Sequence, residues 1–341
     1  MLAIHQPPRR HPHKMGQHDR LCRCLCIGVL TSVLVGCAET IPLPDPDDSP
    51  LMTSVGSPEV AIVSLPASPR SLASQNLAQH YYRMERGLIA SGDLRRNRGK
   101  DIPVDATRLV ESFSEVALRN EYAPGQGLET ARSSLRPVRR WAAPVRVSLT
   151  FGSGAPSDIR RGDRLFVAQT VTRLTRITGH SISLTERNPN FHVFVVGRDD
   201  RETLLDRVQI LSPGLQLATL SLLSQMPRDV QCLVFTREDP DAKNTITQAV
   251  AVIRAELGPV MRQSCYHEEI AQGLGLSNDS PSARPSVFND DDEFAYLTHL
   301  DDDLLRLLYN PGMPPGLSPG QARQRARALA NTLRPPLSEG S

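Results

Sequence analysis

Apolar residues recur along this chain at two periods, and the switch between them marks out its elements. Leu77, Tyr81, Met84 and Leu88 repeat at helical spacing ahead of Gly92, and Ala106, Leu109, Val110, Phe113, Val116 and Ala117 do so behind Asp105. Both stretches are expected to be helices with one face on a core, the first capped by glycine and the second by aspartate. Beyond Trp141 the period shortens: Val145, Val147, Leu149 and Phe151 alternate with Arg146, Ser148 and Thr150, as in a half-buried strand. A long helix over residues 159–178 follows, with Leu165, Ala168, Val171, Leu174 and Ile177 inward and Gly179 ending it. Strands are expected at 182–185, 191–196, 232–236 and 246–253, the last two joined through the polar loop 237–244. A helix is expected at 202–211, and another opens at Pro259, where proline suits the first helical position. The result is an α/β (α+β) domain, a mixed sheet on a long helix and a helix carrying a motif; roughly 200 residues suffice for one core.

The N-terminus does not fit this pattern. Arg20 and Arg23 precede an apolar run, residues 26–35, that is too short to span a bilayer and suits the central part of an export signal. Met15 is an alternative start to Met1, because the Pro/His/Arg-rich residues before it add nothing a signal needs. The run ends in Leu34-Val35-Gly36-Cys37. That tetrapeptide resembles the bacterial lipobox, which implies cleavage before Cys37 and lipid, palmitate included, on its thiol and new N-terminus. An uncleaved membrane anchor is the alternative. Ala38, non-acidic, implies sorting to the outer membrane, facing the periplasm. Residues 37–70 carry prolines at 42, 44, 46, 50, 58, 66 and 69 and read as a linker. The domain then divides into a helical part at 71–140, an α/β part at 141–315 and a C-terminal helix and tail at 316–341.

Charge and cysteine content refine this reading. Removing residues 1–36 takes five of the 39 Lys/Arg and one of the 37 Asp/Glu, so +2 becomes −2 and nucleic-acid binding is not expected. The basic stretch 95–100 is a solvated loop on the simplest reading and a contact for anionic lipid or peptidoglycan on the alternative. If cleavage occurs, Cys22, Cys24 and Cys26 leave with the signal, and with Cys37 lipidated only Cys232 and Cys265 remain as thiols, in an oxidising compartment. They suggest one disulfide stapling strand to motif helix, with two separately buried thiols as the alternative.

The candidate chemistry lies in the stretch from Cys265 to Asp279, CYHEEIAQGLGLSND. In the zinc-peptidase pattern H-E-x-x-H-x-x-G-x-x-H, two His a turn apart hold the metal and the Glu between them activates water. With His267 as first ligand the second falls on Ala271, which cannot ligate. One residue later every spacing fits: Glu268, Gln272 and Asn278 at the ligand positions, Glu269 at the base and Gly275 at the turn. The segment is similar to the motif helix of metzincin-type zincins, and residues 297–309 look like their C-terminal helix, with 285–290 in the place of the Met-turn. Together with Cys265, Leu274-Gly275, Asn278-Asp279 and Leu308-Tyr309, the block resembles a bacterial family of lipoproteins defined only as a domain of unknown function.

The resemblance implies a zincin-like domain with degenerate ligands, and no cofactor is expected. Its cleft would hold an extended peptide from an envelope protein or the cell wall along an edge strand, for which 246–253 is the candidate. The alternatives are a zinc metallopeptidase with unusual ligands, drawn from His267, Glu268, Gln272, Asn278 and Asp279 with Glu269 as base, and a purely structural envelope component. Glu268, Glu269 and Gln272 also read, more blandly, as a solvated helix face, and the acidic run 290–293 resembles a calcium loop only in composition.

Overall fold

The computed structural model describes residues 2–5, 69–121, 135–289, 291 and 293–334. Cys37, the apolar run expected to be an export signal and nearly all of the segment expected to be a linker lie outside them; of the expected leader, residues 1–36, only Leu2–His5 are described. Among the described residues no helix is long and apolar enough to cross a membrane.

The strands are β1 (Leu2–His5), β2 (Arg140–Trp141), β3 (Val145–Phe151), β4 (Ile182–Leu184), β5 (Phe191–Val196), β6 (Cys232–Glu238) and β7 (Thr245–Arg254). The helices are α1 (Leu72–Ser91), α2 (Ala106–Ala117), α3 (Ser157–Thr178), α4 (Arg201–Leu211), α5 (Leu217–Gln225), α6 (Pro259–Leu274), α7 (His299–Leu308) and α8 (Pro319–Leu333). They form one mixed sheet in the order β1-β6-β7-β5-β3-β4, with the short β2 beside the start of β7. Strands β4, β3, β5 and β7 are parallel; β6 runs antiparallel to β7, and β1 antiparallel to β6.

Both faces of the sheet are covered, and strand alternation divides the side chains between two cores. Phe191, Val193, Val195, Ala249, Ala251 and Ile253 join the larger core with residues of α2, α3, α6, α7 and α8. Phe194, Val196, Val250 and Val252 face the smaller one, built with Leu204, Val208, Leu222 and Leu223 of α4 and α5.

The expected elements form where the periods placed them, with Asp105 capping α2 through the Arg108 N–H at 2.7 Å and Gly92 and Gly179 left-handed beyond α1 and α3. Three expectations need correction. Segment 246–253 is not an edge: as β7 it lies between β5 and β6, and the antiparallel hairpin return of β6 covers its other side. The inward face of α3 is turned from the one expected, since Leu165 is 62 % exposed. The buried stripe is Asp163, Val167, Thr170, Val171, Leu174 and Ile177, because Asp163 is drawn to Arg262 and Tyr266 on α6. The basic stretch is not simply solvated either: Arg95 pairs with Asp101 and Glu293, and Arg98 with Asp302. Helix α5 was not anticipated: its buried face is Thr219, Leu222 and Leu223 while Leu217 is 83 % exposed, so its apolar residues do not mark one inward face.

Candidate functional site

Helix α6 is fixed at both ends before its polar residues are considered. At its start, the buried Glu85 of α1 accepts the Met261 N–H at 2.8 Å, a carboxylate on the positive helix end. Gly258 makes room for it, since a Cβ there would lie 2.4 Å from that carboxylate. At its end, Trp141 Nε1–H donates to the Gly273 carbonyl and the Tyr309 hydroxyl to that of Leu274, both at 2.8 Å. Gly275 then turns the chain at φ 124°, with its Cα so close to the Arg139 carbonyl that a Cβ would sit at 2.3 Å.

The face of α6 toward β6 is set covalently. Cys265 is bonded to Cys232, the first residue of β6, with Cα atoms 6.0 Å apart. Glu268, Glu269 and Gln272 follow Cys265 at i+3, i+4 and i+7, so helical geometry puts all three on that face. None is solvated: their exposures are 1 %, 0 % and 1 %. Burial therefore eliminates the bland reading of a water-facing stripe. Gln272 Nε2 donates toward Asp279 Oδ1 at 3.3 Å and Glu268 Oε1 at 3.5 Å, an amide NH₂ between two carboxylates. Asn278 Nδ2 is engaged by the carbonyls of Glu115 and Asp279, at 3.0 and 2.7 Å.

His267 points elsewhere. Its ring lies against those of Phe166 and Tyr296, and its Nδ1 accepts the Leu297 N–H at 3.0 Å. The residues brought together are thus Glu268, Gln272 and Asp279, while His267 serves the junction with α7. Zinc does not fit this set: two ligand positions are amides whose N–H groups face carboxylates and carbonyls, and zinc takes thiolate, imidazole or carboxylate. Among the described residues no three His, Cys, Asp or Glu form a group able to hold a metal ion.

Burial, with smaller contributions from Arg173 and Arg98, lowers the His267 pKa to about 3. A depressed histidine contributes stability above its unfolded value of 6.5, and that contribution is lost as pH falls toward 3. Between pH 7.5 and 5 the wild type should lose about 2 kcal/mol more than His267→Phe, which keeps the ring packing and removes the titration. Burial also pushes the pKa of Asp301 up to about 6, but it is common to both proteins and drops out of the difference. Parallel urea-melt stabilities of the two proteins from pH 7.5 to 5 would refute the assignment.

Residues 285–289 and α7 are joined through this same Asp301, which accepts from the Ser286 hydroxyl, the Val287 N–H at 3.1 Å and the Thr298 N–H at 2.7 Å. Glu293 of the acidic run is held by Arg284 and Arg95, while Asp290 and Asp292 lie outside the described residues. Sequence reasoning missed Glu85 and Asp163. A signal was present for both, as charged residues in register with apolar ones: Asp163 with Val167, Val171 and Leu174, and Glu85 four residues after Tyr81.

A family model described as protein of unknown function (DUF2927) matches residues 106–328, well over half of the chain. No curated protein and no solved structure matches it.

Proposed function

The chain belongs to this family of proteins of unknown function, DUF2927, and from that premise we propose a lipid-anchored protein of the bacterial cell envelope whose zincin-like domain binds an extended peptide without cleaving it. The anchor is Cys37, in the outer membrane and facing the periplasm. The observation that carries the binding role is the outer edge of β6, which takes up Leu2–His5 as an antiparallel strand in the register Leu2 to Phe235 and His5 to Cys232. Cleavage before Cys37 removes that strand. The edge is then open for a segment of an envelope protein or a cell-wall peptide, beside the polar face of α6 that the disulfide ties to it. Backbone pairing supplies affinity without any metal, which accords with a ligand set that does not suit zinc.

The test has two arms on one preparation. Cells labelled with a fatty acid should mark the wild type and not Cys37→Ala. The processed protein should retain intact members of a peptide library, equally for the wild type and Glu269→Gln. Equal labelling of wild type and Cys37→Ala would remove the anchor. Stoichiometric zinc with cleavage that disappears in Glu269→Gln would make the chain a metallopeptidase.

A further inference from the structure

Four arginines converge at the end of the sheet where the parallel strands β5 and β7 finish, away from the motif residues of α6. They line a cavity of about 210 Å³ with Asn76 and His80 of α1. Arg254 is the last residue of β7 and is buried; Arg201 is the first of α4 and half-buried; Arg198 and Arg228 are exposed at the rim. In open α/β sheets this crevice beyond the carboxyl ends of the strands is where ligands bind, and the N-terminus of α4 adds its positive end.

The arrangement is electrostatically incomplete. Arg254 donates Nε to the Val230 carbonyl at 2.7 Å and Nη2 to those of Pro227 at 2.8 Å and of Met226. Arg201 Nη2 donates to the same Met226 oxygen at 3.3 Å, so two guanidiniums meet at one neutral acceptor. Arg201 Nε is buried without a partner. Among the described residues no carboxylate forms an ion pair with any of the four. Glu256 is the carboxylate that acts most strongly on Arg201 and Arg254, without pairing with either: its Oε1 takes the Ser74 hydroxyl and the Arg198 N–H, at 2.8 and 2.6 Å, and its Oε2 is buried without a partner.

Burial first, and then the charges of Arg254 and Arg198, hold the Arg201 pKa below its ordinary value, and His80 is lowered by burial, Arg228 and Arg83. The Met226 backbone is also held at φ 36°, in the left-handed region that non-glycine residues seldom adopt, and its carbonyl is the shared acceptor. Strain of this kind concentrates at ligand sites. Like charges gathered around a small cavity, with a buried donor unused, call for a compact anion of several oxygens.

We infer that this cavity is a binding site for a phosphate group, presented by a small phosphorylated molecule or inorganic phosphate. Arg201 and Arg254 take it at the floor, and Arg198 and Arg228 close over it from the rim. The volume admits a phosphate with a short substituent and excludes a nucleotide-sized ligand.

The full chain is titrated with inorganic phosphate by calorimetry, at ionic strength held constant with chloride. Wild type should bind saturably, one phosphate per chain. Arg201→Gln and Arg198→Gln should each bind about ten-fold more weakly or worse, as for a lost charge-assisted hydrogen bond. Arg161→Gln, on the exposed face of α3, should bind as wild type does. Arg198→Gln guards against misfolding, because that side chain makes no hydrogen bond among the described residues. A second arm measures sedimentation with phosphatidylcholine vesicles, with and without phosphatidylglycerol. Capture by phosphatidylglycerol that is lost in both pocket variants would assign the phosphate to a lipid headgroup. The same weak response in wild type and all variants, in both arms, would overturn the site.

Discussion

Replacing Asp163 by alanine is expected to cost roughly 3–5 kcal/mol of folding stability, because it strands a buried guanidinium. Asp163 accepts Arg262 Nε at 2.6 Å, Nη2 at 3.1 Å and the Tyr266 hydroxyl at 2.9 Å, and both charged side chains are at most 5 % exposed. These bonds tie α3 to the first two turns of α6, so the loss should also loosen the helix that carries Glu268 and Glu269. Because the loss comes from an uncompensated charge, removing its partner should recover part of it: Asp163→Ala with Arg262→Met should be more stable than Asp163→Ala alone. Urea denaturation of the single and double variants measures both. A loss under about 1 kcal/mol for Asp163→Ala, or a double variant worse than the single, would show that the pair does not anchor α6.

Removing the disulfide should have an effect of similar size by a different route. Cys232 and Cys265 are 33 residues apart, and the loop they close contains β6, β7 and the start of α6. The chain-entropy relation gives about 4 kcal/mol for a loop of that length. Cys232→Ala with Cys265→Ala should therefore melt well below the oxidised wild type, and the reduced wild type should move toward the variant. Equal melting of oxidised and reduced wild type would mean that the bridge constrains nothing the core does not already fix. Because it also joins β6 to the polar face of α6, its loss should, if the proposed peptide binding at the β6 edge holds, weaken retention there.

Much of the fold was legible because its signals are local. Helical and strand periods placed α1, α2, α3, β3, β5, β6, β7 and α6 close to their observed bounds. Asp105, Pro259 and Gly275 marked element ends through backbone rules that depend only on neighbours in the chain. A count of thiols suggested the disulfide, and the 6.0 Å Cα separation and the bond in the folded chain decide it against two separate thiols. Helix α5 escaped because its leucines are interleaved with Thr219 and Ser221 and do not share a face: Leu222 and Leu223 are buried with Thr219, while Leu217 is exposed.

The candidate site divides along the same line. Spacing showed that Glu268, Glu269 and Gln272 share a face, but whether that face meets water or protein depends on what packs over it, and only the folded chain buries it. The Glu85 cap, the Asp163–Arg262 pair and the convergence of Arg198, Arg201, Arg228 and Arg254 join residues far apart in sequence, and no pattern along the chain announces which partners meet. Strand order is equally non-local: residues 246–253 read as a strand expected at an edge, and pairing with β5 and β6 puts them inside the sheet. The sequence by itself determined most of the elements and several of their ends, and pointed to the covalent link, since these depend on interactions within a few residues and on residue type. Tertiary structure decided which strands lie inside the sheet, which carboxylates are dry and which cations share a cavity, because desolvation and charge pairing depend on distances in space that chain separation does not encode.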